Sequence, residues 1–347
     1  MDGFRAPEEQ RAQARTWDVV AAAFAEREPV RVRRRRRAPL VLAIAVAALV
    51  GVAFTSAGHA VITSVRKAIG IEHAQRALYS LPAPGRVLAD GWIVNANGST
   101  RRLGDYRATS WSPFGRFVVG AKRDALVALT PDGDVRWTLA RPDVRFPRWS
   151  GTHTDTRIAY LSGDRLRVVA GNGAGDHEAG AAAAAPVAPA WRPGGAPFTL
   201  AYADVRGRVW VFQPDTGKLL FRTPGGAQPL KLAWSKDGSR LLVVRPRAID
   251  VYGRRHVTLR GTFVDAAFVG TRLATLSPHA LSVAGTTLFR TTGRLAQVVP
   301  SPDGRWFLVT WPQADQWLFV SSTKRVRAVG NIAEQLGGAF SVDGWTS

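Results

Sequence analysis

The apolar positions divide the chain into stretches of different period. Trp17, Val20 and Phe24 recur at helical spacing within residues 8–27, which predicts an amphipathic helix. Residues 38–57, APLVLAIAVAALVGVAFTSA, are 20 consecutive positions without a charge. At about 1.5 Å per residue, a helix of that length spans the roughly 30 Å hydrocarbon core of a bilayer. Val61, Val65, Ile69 and Leu78 predict a second amphipathic helix, which Pro82-Ala83-Pro84-Gly85 breaks. From residue 85 onward the pattern changes to short runs rich in Val, Leu, Phe and Trp, alternating with period two, which is strand chemistry.

The strand region repeats. An aromatic residue, a tight turn and a β-run recur in Trp111-Ser112-Pro113-Phe114-Gly115 before Phe117-Val118-Val119, and in Trp234-Ser235-Lys236-Asp237-Gly238 before Arg240-Leu241-Leu242-Val243-Val244. Pro300-Ser301-Pro302-Asp303-Gly304 leads into Arg305-Trp306-Phe307-Leu308-Val309 in the same way. Weaker copies begin at Trp149, Trp191 and Phe268, and a last one, Phe340-Ser341-Val342-Asp343-Gly344, stands near the C-terminus. The anchors at 111, 149, 191, 234, 268, 300 and 340 are spaced by 38, 42, 43, 34, 32 and 40 residues. Periods near 40 with short strands mark the blades of a β-propeller.

These units resemble TolB-like and WD-type propeller repeats, whose local form is an aromatic-Ser-Pro-Asp-Gly-Arg/Lys turn. Thr130-Pro131-Asp132-Gly133-Asp134 and Gln213-Pro214-Asp215-Thr216-Gly217-Lys218 look like quinoprotein-type repeats. The resemblance covers residues 85–347 and implies an all-β fold, not a particular activity. Seven anchors predict seven blades. The last anchor has only seven residues after it, while residues 86–103 hold strands with no anchor before them. Joining these ends closes the ring, with the C-terminus supplying an inner strand through Phe340 and the N-terminal segment supplying the outer ones. The alternative is a six-bladed ring with Phe340 in a tail.

Charge sets the topology. Arg31 and Arg33 to Arg37 abut the apolar run, and basic residues beside a spanning helix stay in the cytoplasm. The expected organisation is therefore a cytoplasmic segment 1–37, a single transmembrane helix 38–57, a juxtamembrane helix and linker 58–84, and an extracytoplasmic propeller 85–347. Gly58-His59-Ala60 also suits a signal peptidase, a competing reading that still sends the remainder out of the cytoplasm. The formal net charge is +21 and arginine supplies 41 of the 47 basic residues. That excess fits the coding bias of a bacterium rich in G+C, or a surface selected for anions.

No catalytic motif emerges. The chain has no cysteine, six histidines without metal-ligand spacing, no G-x-S-x-G elbow and no P-loop. Gly171 to Glu178, followed by Ala181–Ala185, reads as a long flexible loop between blades. In a propeller, the loops joining strands two and three, and those joining strand four to the next blade, share one face. Here they carry Lys122, Arg123, Arg141, Arg145, Arg206, Arg245 and Arg247, joined by His279 and Trp311. The expected function is a membrane-anchored, non-enzymatic binding or scaffold module without a cofactor. Its expected partner is a protein or an anionic polymer at that face, and no nucleic acid. A transmembrane regulator of anti-sigma type, whose N-terminal segment binds a cytoplasmic partner, is the alternative, and a propeller enzyme the third.

Overall fold

A computed structural model describes residues 80–347. The expected cytoplasmic segment, the apolar run 38–57 and most of the linker lie outside the described residues. Among the described residues no helix is long and apolar enough to cross a membrane.

The described chain folds into seven four-stranded antiparallel sheets. Blade 1 contains β1 (Arg86–Ala89), β2 (Trp92–Val94) and β3 (Thr100–Arg102). Blade 2 contains β4 (Ala108–Trp111), β5 (Val118–Ala121), β6 (Ala125–Leu129) and β7 (Val135–Ala140). Blade 3 runs through β8 (Val144–Gly151), β9 (Thr156–Ser162), β10 (Arg165–Ala170) and β11 (His177–Glu178). Blade 4 comprises β12 (Ala190–Trp191), β13 (Leu200–Ala203), β14 (Val209–Gln213) and β15 (Lys218–Arg222). Blade 5 comprises β16 (Lys231–Trp234), β17 (Leu241–Arg245), β18 (Ala248–Tyr252) and β19 (Val257–Arg260). Blade 6 has β20 (Asp265–Val269), β21 (Arg272–Ser277), β22 (Ala280–Val283) and β23 (Thr286–Arg290). Blade 7 has β24 (Gln297–Pro300), β25 (Trp306–Trp311), β26 (Gln316–Ser321) and β27 (Val326–Gly330). A short helix, α1 (Ile332–Leu336), then leads to β28 (Val342–Thr346), which completes blade 1 by pairing with β1.

The second strands carry apolar residues on both faces because both faces of each sheet are buried. Side chains alternate along a strand, so neighbours enter different cores. Leu241 and Val243 pack between blades 4 and 5, whereas Leu242 and Val244 pack between blades 5 and 6. Val118 and Val119 divide in the same way between the cores on either side of blade 2. Each of the seven junctions has one such cluster. A fully buried side chain of this size contributes about 1.5–3 kcal/mol.

The ring closes, but not at the expected anchor. Trp345 pairs with Val87 and is buried, whereas Phe340 precedes the strand and is half-buried against the seam core. Helix α1 and the left-handed Gly337 and Gly338 take up chain between blade 7 and β28, moving the anchor onward. Asp343-Gly344, which reads as a turn, lies inside β28. The packed unit also takes in Leu81 and Ala83, upstream of Gly85. Within the segment expected as a loop between blades, His177 and Glu178 form β11, the outer strand of blade 3, and the rest is without regular strand or helix.

Candidate functional site

The strand two-to-three loops and the blade-to-blade loops interlock on one face. Arg141 N–H donates to Asp124 O at 3.0 Å, Gly261 N–H to Arg247 O at 3.2 Å, and Thr291 N–H to His279 O at 2.9 Å. All nine sequence-selected residues lie on these loops or at the adjoining strand ends.

Their environments differ. Arg141 pairs with Asp176 at 2.6 Å, and Arg167 pairs with the same carboxylate at 2.6 Å. Tyr160 donates its hydroxyl proton to Asp176 at 2.6 Å. Burial opposes the charge on Asp176, but these donors hold its carboxyl below the usual range. Arg145 donates to Gly163 O at 2.7 Å and pairs with Asp143 at 3.3 Å. The Arg245 side chain is 11% exposed, lies 3.6 Å from Asp250, and donates to Ala227 O and Gly207 O. These three arginines hold loops together. Trp311 is half-buried against the core between blades 6 and 7, and a Cβ on Gly293 would stand 2.3 Å from its ring. The His279 ring nitrogen Nδ1 lies 3.0 Å from Gly293 O.

Lys122, Arg123, Arg206 and Arg247 are exposed. Lys122 sits over the Tyr106 ring at 5.5 Å. Arg206 is carried by a turn that Asp204 fixes. That buried carboxylate accepts the Arg206 and Arg208 N–H groups at 2.9 and 3.0 Å, and Trp210 Nε1 at 2.9 Å. Burial works against its charge, yet these bonds hold its carboxyl low. The face thus offers cations on turns that are rigid from below. Beside them, at the ring seam, lies a cleft of about 500 Å³ lined by Asp90, Trp92, Arg102, Tyr106 and Leu336 among others.

The inner strands carry polar contacts that the sequence reading missed. Asp343 accepts from the Thr109 N–H at 3.2 Å and from its hydroxyl, which bridges blades 1 and 2. Trp149 N–H donates to Ser110 Oγ at 3.3 Å, joining blades 2 and 3. Trp191 Nε1 donates to Arg148 O at 2.9 Å and Trp234 Nε1 to Ala190 O at 3.1 Å, joining blades 3 to 4 and 4 to 5. Lys231 pairs with Asp265 at 2.8 Å, and Asp265 in turn accepts from Val298 N–H at 2.9 Å, joining blades 5, 6 and 7. Gln297 clasps the Val342 N–H and C=O at 2.8 and 2.7 Å, returning to blade 1. Every junction is bridged once or more. Burial raises the Asp343 carboxyl to about 7, against the pull of Arg148 and Thr109, and burial also pushes the Arg148 guanidinium down. Asp343 gave no usable signal because Asp343-Gly344 reads as a turn, whereas Asp265 stands at the head of the apolar run Ala266–Val269.

Among the described residues no three His, Asp or Glu side chains stand close enough to hold a metal ion. No family model matches the chain, and no curated protein sequence matches it. Solved structures do match. A chain of a mitotic checkpoint complex is 15% identical, with 74% of this chain and 83% of that chain covered and a TM-score of 0.52. The C-terminal WD40 domain of Sif2 is 13% identical, with 72% and 84% covered and a TM-score of 0.54. This likeness shows a WD40-like propeller fold.

Proposed function

We propose that the chain is a membrane-held binding or scaffold module of TolB-like, bacterial type. Residues 38–57 anchor it, the N-terminal segment stays in the cytoplasm, and the propeller presents its loop face outside. The carrying observation is the set of exposed cations Lys122, Arg123, Arg206 and Arg247 on interlocked loops of one face. Binding residues concentrate on loops that a rigid scaffold positions, and the closed ring is such a scaffold. Exposed cations on one face raise the rate at which an anionic partner associates with it. The partner is a protein with an acidic surface or an anionic polymer, and the reading requires no cofactor and no catalysis. The structural neighbours support it to the extent that one of them belongs to a multiprotein complex. The arginines before the apolar run support the topology.

Photo-crosslinkers placed at Arg123 and Arg247 of the full chain in intact cells test this. We expect one discrete product from each, and none from Thr286 on the opposite loops. Arg123→Glu with Arg247→Glu should weaken capture by about tenfold, the equivalent of roughly 1.4 kcal/mol, without lowering the melting temperature. Equal capture from Thr286, or capture indifferent to the charge reversal, would remove the face from consideration. A reporter fused after Ser347 that works only in the cytoplasm would overturn the topology.

A further inference from the structure

Apolar exposure around the ring is uneven. Nine large hydrophobic residues are exposed among the described residues, and seven of them sit on blades 4 and 5 or their loops. Leu219, Leu220 and Phe221 on β15 are 48, 41 and 36% exposed, and Val257 and Leu259 on β19 stand out in the same way. Every residue of β15 and of β19 is exposed. Other outer strands differ: β3 is Thr-Arg-Arg, and the Phe289 side chain of β23 is buried.

Strand pairing sets where the exposed residues face: Phe221, opposite Val211, stands on the blade 5 side of β15, whereas Leu219, opposite Phe212, stands on its blade 3 side, and Val257 and Leu259, opposite Val251 and Ile249, stand on the blade 6 side of β19. The Phe221 ring lies 6.0 Å from that of Tyr252, which stacks on His256 at 4.4 Å. Cations stand along this part of the rim: Lys218 and Arg222 end β15, and Arg254, Arg255 and Arg260 flank or end β19. The nearby carboxylates are engaged. Asp250 receives the Thr258 hydroxyl at 2.6 Å and faces His256 at 3.1 Å, and Asp215 faces Arg157 at 3.5 Å. The named cations outnumber these carboxylates along the rim. Strand β15 also ends its sheet, so its outer backbone groups have no strand partner.

We propose that the outer edge of blade 4 binds an extended, acidic segment of a partner protein, with apolar side chains at alternate positions, added as a fifth strand along β15. An unpaired edge supplies main-chain hydrogen bonds, and the apolar positions supply pockets for alternate side chains. Charge selects the partner. Two copies of this rim would bring like charges together, and the bulge between Val211 and Phe212 further discourages flat self-pairing. The chain enters the ring at blade 1, three junctions from both blade 4 and blade 5, so the rim is directed away from residue 80. The proposal concerns a second surface, independent of the loop face.

The test uses the full chain in nanodiscs of zwitterionic lipid. The probes are a short fluorescent peptide alternating Leu or Val with Asp or Glu, and its counterpart carrying Lys at the acidic positions. The acidic peptide should bind saturably and the Lys peptide should not. Leu219→Asp with Phe221→Asp should weaken binding by about tenfold or more, as expected for a buried aromatic anchor. Lys218→Glu with Arg255→Glu, which keeps the apolar surface and guards against a folding defect, should weaken binding and reduce its salt dependence. Arg123→Glu with Arg247→Glu should change nothing, which separates this rim from the loop face. Equal binding of both peptides, or binding indifferent to the β15 changes, would overturn the proposal. So would β15-dependent attachment to vesicles of anionic phosphatidylglycerol, or β15-dependent self-association, each of which names a different occupant.

Discussion

Blade 5 and blade 1 share a four-strand form but are held by different means. Blade 5 comes from contiguous chain, and its β16–β17 turn is closed within a few residues. Ser235 Oγ accepts the Arg240 N–H at 3.0 Å and donates to Asp237 at 2.5 Å. Blade 1 unites the two ends of the described chain and has no such turn. Ser341 N–H donates to Asp90 at 2.9 Å across 251 positions, Asp343 is bonded to Thr109, and Gln297 clasps Val342. Trp345 adds an edge-on contact to Phe319 of blade 7, with centroids 5.9 Å apart. Local turns make a blade by sequence proximity, whereas a seam relies on side chains that recognise one another at long range. The entropy of closing so long a loop grows only as the logarithm of its length, so a few such contacts and one buried strand suffice.

The largest test of that contrast removes the seam strand. Deletion of the residues after Gly337 should destabilise the whole ring by more than the roughly 3–5 kcal/mol typical of one large aromatic truncation. Calorimetry should show the entire domain melting earlier in one transition. Loss of hydrogen-exchange protection confined to β1 would mean that the seam merely caps one blade.

The next test concerns pH. An unfolded aspartate ionises near pH 4, whereas Asp343 in the ring keeps its proton up to about pH 7. The folded state binds the extra proton across that window, so this group makes stability fall as pH rises through it. Asp343→Asn should flatten the fall, worth on the order of a few kcal/mol, and leave behaviour below about pH 4 unaltered. There Asp176 and Asp204, whose carboxyls are held low, act in the opposite sense and lose their contribution as pH falls. Melting temperatures of both proteins from pH 4 to 8 decide it: an unchanged slope would refute the buried titration.

The smallest effect belongs to blade 5. Ser235→Ala removes two local hydrogen bonds and should cost about 1–2 kcal/mol, measured by urea unfolding at neutral pH. A loss equal to that of the seam deletion would erase the distinction between the two blades.

Strand placement was legible where both faces of a sheet are buried. The runs Arg240–Val244 and Arg305–Val309 are read one residue ahead of β17 and β25, because apolar runs between turn residues leave little freedom of register. The seam anchor was less legible. Phe340 followed by Asp343-Gly344 imitates the repeat turn, and only three-dimensional pairing shows Trp345 in that role. Among the candidate residues, charge and loop position could be read, but partners could not. Arg141 meets Asp176 across 35 positions, and Arg245 spends its donors on carbonyl groups of blade 4 and its loops. The turn of blade 2 shows the same limit: Phe114 stands at φ 67° where the related turns carry Asp237 and Asp303. Its exposed ring stacks on His153 of the next blade at 3.7 Å, a contact no local pattern announces.

The pairing of Arg86 with Thr346 has a topological consequence. These residues occupy the place where every other blade carries the hairpin turn between its first and second strands. A Cβ on Gly85 would stand 2.0 Å from Thr346 O, so the two chain segments are already side by side. The ring is thus a circle of hairpins with one of them cut, and any of the corresponding turns could hold the cut instead. A gene that joined residue 347 to residue 80 through a linker, keeping Leu81 and Ala83 in the seam core, and opened between Asp237 and Gly238 would encode the same ring, circularly permuted.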